Sequence, residues 1–201
     1  KKAGNIVSAI KPTPTIGGVG LLKDYSKMLT IAFKAEEETI IRIGETKGHL
    51  GCSIFEAVFT KELEGKIYDK NVPPIDLYKE QINANFIRLA AEQNWLTACH
   101  DISDGGILVA IAEMAIAGGI GAEIDIAVNY ARGFGEDQAR YIITAKPTEA
   151  ERILMKAPEY GTEAVAIGKT CGRDLKLSGA AISIASLKEK YEETLEKEIA
   201  N

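Results

Sequence analysis

The sequence predicts an α/β sandwich, in which helices cover a mixed β-sheet. Runs rich in β-branched residues, such as 39–43 and 140–145, alternate along the chain with segments whose apolar residues recur at helical spacing. The composition is that of a globular protein, with 46% hydrophobic and 26% charged residues among 201. A chain of this length buries roughly 70% of the surface of its unfolded form, which is enough for one core.

The first half of the chain is predicted to contain two strands, a glycine-rich loop and a long helix. Residues 28–33 and 39–43 have the apolar, β-branched character of strands and are separated by an acidic turn. The loop at 44–53 leads into a short helix. Between 75 and 94 apolar residues recur at three and four positions, which predicts an amphipathic helix. These residues are Tyr78, Ile82, Phe86 and Leu89.

The second half is predicted to alternate strands and helices. A short strand at 95–99 precedes a helix that starts near Ile107 and is stopped by the glycines of 117–122. Pro147 begins a further helix, since proline suits the first helical position. The remaining strands are expected at 123–128, 140–145, 164–168, 175–177 and 181–184. A last helix has an apolar stripe, expected to belong to the core, made of Leu187, Tyr191, Leu195 and Ile199.

The beginning of the chain indicates a piece of a longer protein. It lacks an initial methionine, and residues 11–20 read KPTPTIGGVG, a linker-like combination of proline and glycine. We therefore expect residues 1–20 to be a linker and the tail of a preceding domain. Residues 21–201 are then expected to form one α/β domain.

Charge and cysteine content limit the class of protein. The net charge of -5 and the pI near 5.3 argue against nucleic acid as a partner, because phosphate backbones require a basic face. The three cysteines are far apart and form no C-x-x-C pair, which favours thiols in a reducing compartment. No apolar run reaches the ~18 residues of a membrane span, and no secretory signal is apparent. The expected location is the cytoplasm, away from membranes.

The stretch 100–106, HDISDGG, is unusually polar for a connection between a strand and a helix. Asp101 and Ser103 are natural helix N-caps. The backbone amides of Gly105 and Gly106 would then point outward at a positive helix end, a geometry that binds phosphate or a carboxylate. The alternative is that the polar side chains only cap the helix, while the glycines allow close packing.

Two further loops carry candidate ligands for an anion or a metal. The loop 44–53 offers Thr46, Lys47 and Ser53 as anion contacts, although it lacks the Walker pattern and is weak evidence by itself. The loop 133–140 places Glu136, Asp137 and Gln138 just before a strand; alone, it reads as a solvated hairpin loop. Because Mg²⁺ takes one or two carboxylates plus phosphate oxygens, it is a candidate cofactor. Its candidate ligands are Asp101, Asp104, Glu136 and Asp137.

Other chemistries are less well supported by the sequence. His49 and His100 are the two histidines, and their separation does not fit a zinc site. Cys99 follows a strand without a cationic neighbour other than His100, so we expect a buried structural thiol. No serine, histidine and aspartate arrangement of a hydrolase can be argued.

Four motifs in order, PTPTIGGVG, ETKGHLGCS, HDISDGGI and GEDQARY, resemble the phosphoribosylformylglycinamidine synthase family of the AIR synthase-related superfamily. The resemblance extends from about residue 11 to 184. It implies the second copy of an AIR synthase C-terminal-type α/β domain, at the C-terminal end of the synthetase subunit. That enzyme is an ATP-dependent ligase of de novo purine biosynthesis, which amidates formylglycinamide ribonucleotide with glutamine as amide donor.

The resemblance also implies what this chain lacks. The family's catalytic histidine and most of its ATP and Mg²⁺ ligands match no position here, so no catalytic residue is assigned. Its role is then structural, with an auxiliary site for ATP or ADP and Mg²⁺. The GEDQ string departs from the E-S-Q of the active copy, which puts substrate binding by this loop in doubt. The candidate nucleotide or phosphate contacts are Thr46, Lys47, Ser53, Ser103, Gly105, Gly106 and Gln138, and the candidate Mg²⁺ ligands are Asp101, Asp104 and Glu136.

The partners implied are the remainder of the synthetase subunit, the glutaminase subunit and the small bridging subunit. The alternative hypothesis is a stand-alone, non-catalytic binding or regulatory module of the same superfamily. The residues that precede this segment distinguish the two, since the enzyme requires an upstream copy that contains the catalytic histidine.

Overall fold

The computed structural model describes residues 2–3, 6–7, 15–59, 71–127 and 129–199, with side chains described for 15–59, 71–127 and 129–192. The strands are β1 (Lys2–Ala3), β2 (Ile6–Val7), β3 (Thr39–Ile43), β4 (Ala98–Asp101), β5 (Ala122–Ile124), β6 (Tyr141–Ala145), β7 (Ala164–Thr170), β8 (Asp174–Leu177) and β9 (Ala180–Ser183). The α-helices are α1 (Ile54–Phe59), α2 (Leu77–Glu92), α3 (Gly106–Gly118), α4 (Tyr130–Phe134), α5 (Pro147–Lys156) and α6 (Ile184–Ile199). Short 3₁₀ helices are at Tyr25–Lys27 and Ala157–Tyr160.

Seven strands form one mixed sheet in the order β4-β6-β3-β7-β5-β8-β9. Among these strands β5 and β8 pair in parallel, while the other neighbours are antiparallel. The first two strands form a separate antiparallel pair. The predicted mixed sheet is therefore confirmed.

Alternating residues of the central strand β3 point into two cores, one on each face of the sheet. Ile40 belongs to the core that includes Ile111 of α3. Its neighbour Ile41 belongs to the core that includes Phe86 of α2 and Ile153 of α5. Because strand side chains alternate between faces, both faces need a helical cover. This arrangement confirms the α/β sandwich.

The helix ends follow the local sequence signals. Asp76 caps α2, since its carboxylate accepts hydrogen bonds from the amides of Tyr78 and Lys79. Pro147 is at the first position of α5. Gly119 ends α3 in the left-handed conformation with φ 64°. No described helix has both the length and the apolar character needed to cross a bilayer.

Several boundaries differ from the prediction. Residues 28–33 are not a strand: the run lies beside β4 and the end of α3, with isolated backbone bonds from Cys99 to Thr30 and from Phe33 to Met114. The strand predicted at 95–99 is displaced to β4. The strand predicted at 123–128 is the shorter β5, and α4 was not predicted. The signal for α4 is Asn129, whose side chain accepts a hydrogen bond from the Arg132 amide.

Parts of two predictions concern residues outside the described set. The final helix is present as α6, but the side chains of Leu195 and Ile199 in its predicted stripe lie outside the described residues. Within the described part, Leu187 is half-buried and Tyr191 is 62% exposed. Most of the predicted linker, 1–20, also lies outside the described side chains, so its boundary remains a prediction.

Candidate anion-binding loops

Three loops meet at one edge of the sheet because of the strand pairing. Ile43 at the end of β3 and Asp101 at the end of β4 both pair with Tyr141, the first residue of β6. The segments that continue from these strand ends are therefore neighbours. We name them the first loop (44–53), the second loop (102–105) and the third loop (135–140). Together they contain the candidate nucleotide and metal residues except Asp101 and Gly106, which directly flank the second loop.

The first loop forms a backbone cradle around the carboxylate of Asp137. Its amides at Lys47 and Gly48 donate to Asp137 Oδ2 at 3.0 and 2.8 Å, and the His49 amide donates to Oδ1 at 3.1 Å. Successive amides that converge in this way form an anion-binding concavity. The anion in it is a side chain of the same chain, and Asp137 is only 7% exposed. The third loop is therefore not a solvated hairpin at this position.

Glu136 links the beginnings of two helices. Its Oε1 accepts hydrogen bonds from the amide of Gly105, directly before α3, and from the amide of Ile54, the first residue of α1, both at 2.8 Å. Helix beginnings carry partial positive charge and unpaired amides, which a carboxylate satisfies well. The backbone amide of Glu136 also donates to the carbonyl of His49 at 2.8 Å. One residue thus joins all three loops.

The buried Arg140 side chain holds the third loop in place through hydrogen bonds to its backbone. It is 2% exposed and donates from Nε to the Asp137 carbonyl at 2.9 Å and from Nη2 to the Gly135 carbonyl at 2.7 Å. Its Nη1 donates to Thr46 Oγ1 at 3.1 Å and lies 3.7 Å from Asp137 Oδ2. Burial lowers the pKa of the Arg140 guanidinium to about 10, and the nearby Asp137 charge opposes this change. A buried cation requires such a set of acceptors.

Two predicted anion contacts of the first loop use their hydroxyl groups internally. Thr46 Oγ1 accepts from both Arg140 and Arg42, at 3.1 Å in each case. Ser53 is buried and caps α1: its Oγ accepts from the Glu56 amide at 3.1 Å and donates to the Leu50 carbonyl at 2.6 Å. Ser53 and Glu56 fit the S-x-x-E capping pattern. Lys47, by contrast, has an exposed side chain 3.5 Å from Glu45.

The second loop begins α3 without the predicted caps. Gly105 is the N-cap residue, with φ 79°, and has no side chain to cap the helix, so the prediction of Asp101 or Ser103 as the N-cap is wrong. The amide of Gly106 donates to the Ser103 carbonyl at 3.0 Å. A Cβ on Gly106 would lie 2.7 Å from the Gly135 carbonyl oxygen, so glycine is required for the close approach of the two loops.

The carboxylates predicted to bind Mg²⁺ have separate surroundings. Asp101 is paired with His100 at 3.1 Å and is 64% exposed at its side chain, while Asp104 is exposed. Glu136 is engaged by the two helix starts. Within the described ranges, no group of three His, Cys, Asp or Glu side chains is arranged to hold a metal ion. The Mg²⁺ assignment to Asp101, Asp104 and Glu136 stays a prediction.

Sequence reasoning did not assign roles to Arg140 or Glu113. Arg140 could have been suspected because a cation directly precedes a buried strand and follows Asp137 by three positions. Glu113 accepts from Tyr191 Oη of α6 at 3.3 Å, and its other oxygen lies 2.9 Å from His100 Nε2. This contact joins β4, α3 and α6, and the sequence spacing carries no signal for it.

A large apolar cavity lies away from these loops. It has a volume of about 560 Å³, is lined almost entirely by apolar atoms, and is bordered by α3, β8, β9 and α6, with Leu187 and Tyr191 on one side. The cavity beside the first and third loops is smaller, about 160 Å³. The predicted polar residues thus do not border the large cavity.

Comparison with known protein families identifies the family to which the chain belongs. Residues 35–178 match the family described as AIR synthase related protein, C-terminal domain. The chain belongs to this family. The match includes all three loops, and it ends at β8 before the last strand and helix.

Curated relatives extend the similarity to nearly the whole chain. A phosphoribosylformylglycinamidine synthase subunit PurL from Parvibaculum lavamentivorans is 48% identical over 188 residues, which is 91% of this chain and 25% of the relative. The same subunit from a Bradyrhizobium species is 45% identical over 93% of this chain and 25% of the relative. The chain spans about a quarter of the length of these relatives.

Solved structures share the fold at low sequence identity. The chain is similar to Thermotoga maritima PurL complexed with FGAR, with a TM-score of 0.66, 17% identity, and coverage of 81% of this chain and 30% of that one. The same protein complexed with ATP gives a TM-score of 0.64 at 14% identity, covering 81% of this chain and 27% of that one. These matches agree with the mixed sheet and helical cover described above.

Proposed function

We propose that this chain is a non-catalytic α/β domain of a phosphoribosylformylglycinamidine synthase, the ATP-dependent ligase that amidates formylglycinamide ribonucleotide in purine biosynthesis. The observation that carries the proposal is the 48% identity over 91% of the chain to one quarter of a PurL subunit. Identity at this level over the whole domain disfavours the alternative of a stand-alone regulatory module. The reaction requires the other three quarters of such a subunit.

The loops support a structural role for the domain. Catalysis of phosphoryl transfer depends on metals and charges positioned at the reacting groups. In the described residues the buried charged groups of the loops, Asp137 and Arg140, are directed at backbone and at each other. They therefore stabilise the sheet edge, and the domain supplies a rigid support to the rest of the enzyme.

ATP or ADP and Mg²⁺ are proposed as cofactors of the longer enzyme. Solved PurL structures of Thermotoga maritima are titled as complexes with ATP, ADP and AMPPCP. In this chain, Ser53 and the amides of Gly105 and Gly106 already donate hydrogen bonds within the chain, and Thr46 Oγ1 accepts from two arginines. Lys47, Ser103 and Gln138 have exposed side chains and are the remaining candidate contacts.

The proposed partners are the remainder of the synthetase subunit, a glutaminase subunit and a small bridging subunit. A solved neighbour is titled PurLQS from Thermotoga maritima, which names an assembly of that protein. The proposed location is the cytoplasm, which agrees with cysteines present as thiols.

A chimeric enzyme tests the proposed function. The matching quarter of the Parvibaculum lavamentivorans subunit is replaced by these 201 residues. Formation of the amidine from formylglycinamide ribonucleotide, ATP and glutamine is then measured. The chimera is expected to be active, whereas the isolated chain and the subunit without this quarter are expected to be inactive. Turnover by the isolated chain, or a folded chimera without activity, contradicts the proposal.

A further inference from the structure

The two adjacent carboxylates of the third loop occupy positions that suit an external anion. Asp137 accepts from three successive amides of the first loop, between 2.8 and 3.1 Å. Glu136 accepts from the amide before α3, a helix of 13 residues, and from that of Ile54. Amide concavities and helix beginnings are the usual phosphate-binding elements of proteins. Here each one is filled from within the chain.

An external phosphate would need to displace these carboxylates. The Asp137 carboxylate is covalently attached to the third loop and lies beside Arg140. Its effective concentration at the amides of the first loop is therefore far above that of a free ion. A displaced carboxylate would remain beside the phosphate, and like charges at this distance repel each other. The amides that bind Asp137 and Glu136 are therefore unavailable to phosphate.

A cavity of about 390 Å³ borders Glu45 and Thr46 of the first loop, but its lining includes none of the amides that hold Glu136 or Asp137. The cavity between the first and third loops disfavours a nucleotide, since its volume of about 160 Å³ is below the ~300 Å³ of a typical small-molecule site. Its lining includes two lysines, Lys47 and Lys79. The lining also includes four carboxylates, which disfavour an anion; they are those of Glu45, Asp76, Asp137 and Glu163.

We propose that Glu136 and Asp137 are built-in anions that replace phosphate in the cradles of the first and second loops, and so close this edge to nucleotide phosphates. Their role is to position the three loops. Removal of either carboxylate opens its cradle to an external anion, which then restores part of the lost stability.

Chemical rescue tests the inference with inorganic phosphate as the probe. The thermal midpoint of the full 201-residue chain is measured in phosphate and in chloride at equal ionic strength. Phosphate stabilises folded proteins in general, so the wild type should melt slightly higher in phosphate than in chloride. Asp137→Ala and Glu136→Ala should melt lower than wild type by roughly 5 °C or more in chloride, and phosphate should raise their midpoints by distinctly more than it raises that of wild type. The control Glu151→Ala, an exposed acid on α5, should behave as wild type.

A second measurement keeps the test decisive if Asp137→Ala does not fold. The amide signals of Gly105 and Ile54 are followed by NMR while phosphate, and then ADP with Mg²⁺, is added to wild type and Glu136→Ala. Saturable shifts in the variant alone support the inference. Saturable shifts of the Lys47 to His49 or Gly105 amides in wild type overturn it. So does a folded Glu136→Ala whose amides phosphate does not shift and which phosphate stabilises no more than wild type. The inference rests on loop geometry, so its failure leaves the chimera test unaffected.

Discussion

Arg140 and Asp137 form a buried pair that is joined by one hydrogen bond and one ion pair. The guanidinium donates to the Asp137 carbonyl at 2.9 Å and lies 3.7 Å from the Asp137 carboxylate. The two side chains are 0% and 9% exposed. Because Asp137 also accepts from amides of the first loop and Arg140 donates to Thr46, the pair joins the third loop to the first through contacts that are shielded from water.

This relationship predicts strong coupling between the two residues. Arg140→Met leaves the Asp137 carboxylate without its cation and should cost about 3–5 kcal/mol of unfolding free energy, as for other broken buried pairs. The double variant Arg140→Met with Asp137→Asn should lose less than the sum of the single changes, by about 1–3 kcal/mol. Urea unfolding of all four proteins measures this difference. Strict additivity would show that the two side chains act independently.

Gly106 and Gly119 provide a matched pair for a packing prediction. Both have positive φ, 73° and 64°, so alanine brings similar backbone strain at either position. At Gly106 the added Cβ meets Gly135 and Phe134 at 2.7 Å, whereas at Gly119 no described atom lies within 4 Å. Gly119→Ala should cost roughly 1–2 kcal/mol, and Gly106→Ala distinctly more. Equal thermal midpoints for the two variants would contradict the close contact between the second and third loops.

The thiol of Cys99 predicts an alkaline loss of stability. Burial raises the pKa of Cys99 to about 12, and the Asp101 charge acts in the same direction. The folded protein therefore keeps a proton that the unfolded chain releases near the ordinary value of 9.0. The contribution is complete below pH 9 and is lost as pH rises toward 12, by up to about 1.4 kcal/mol per pH unit.

Cys99→Ala should remove this component. Its unfolding free energy, measured in urea from pH 8 to 10.5, should fall less steeply above pH 9 than that of wild type. Cys52→Ser, at an exposed cysteine, serves as the control and should keep the wild-type slope. Parallel curves for Cys99→Ala and wild type would mean that Cys99 ionises equally easily in both states.

The start of α6 is predicted to contribute to stability. Leu187 is half-buried and lines the apolar cavity beside α3. Removal of all residues after Ser186 should therefore lower the thermal midpoint markedly. Tyr191→Phe, which deletes only the hydroxyl that contacts Glu113, should change it little. An unchanged midpoint after truncation would show that the α6 stripe is an exposed surface.

The architecture could be predicted from the sequence, whereas most contacts of the three loops could not. Helical periodicity located α2 and α3, because the buried positions of a helix recur every three to four residues. Runs of β-branched residues located β3 and β6, because strands buried on both faces are continuously apolar. The run 28–33 has the same apolar character but lacks a strand partner, and periodicity cannot detect that difference. The convergence of the three loops was inferred from composition and resemblance, without any geometry.

The sequence does not indicate which hydrogen-bond partner each polar side chain of the loops has. Acidic residues such as Glu136 and Asp137 suggest a metal or a solvated loop equally well, since their partners are backbone amides that every residue carries. Arg140 donates to two carbonyls of its own loop and to Thr46 of the first loop, and the contact with Thr46 depends on long-range strand pairing. The Gly105 amide likewise bonds to Glu136 of the third loop, a contact between residues 31 positions apart.

The separation of the loops in the chain has a consequence for how the protein forms. Lys47 and Asp137 are 90 positions apart, and Ile54 and Glu136 are 82 apart. Contacts of this range form slowly, because a long segment must close first. Synthesis proceeds from the N-terminus, so β3 and the first loop exist well before β6. During that interval the amides of Lys47 to His49 face water, and this edge of the sheet takes its final shape only when the third loop arrives.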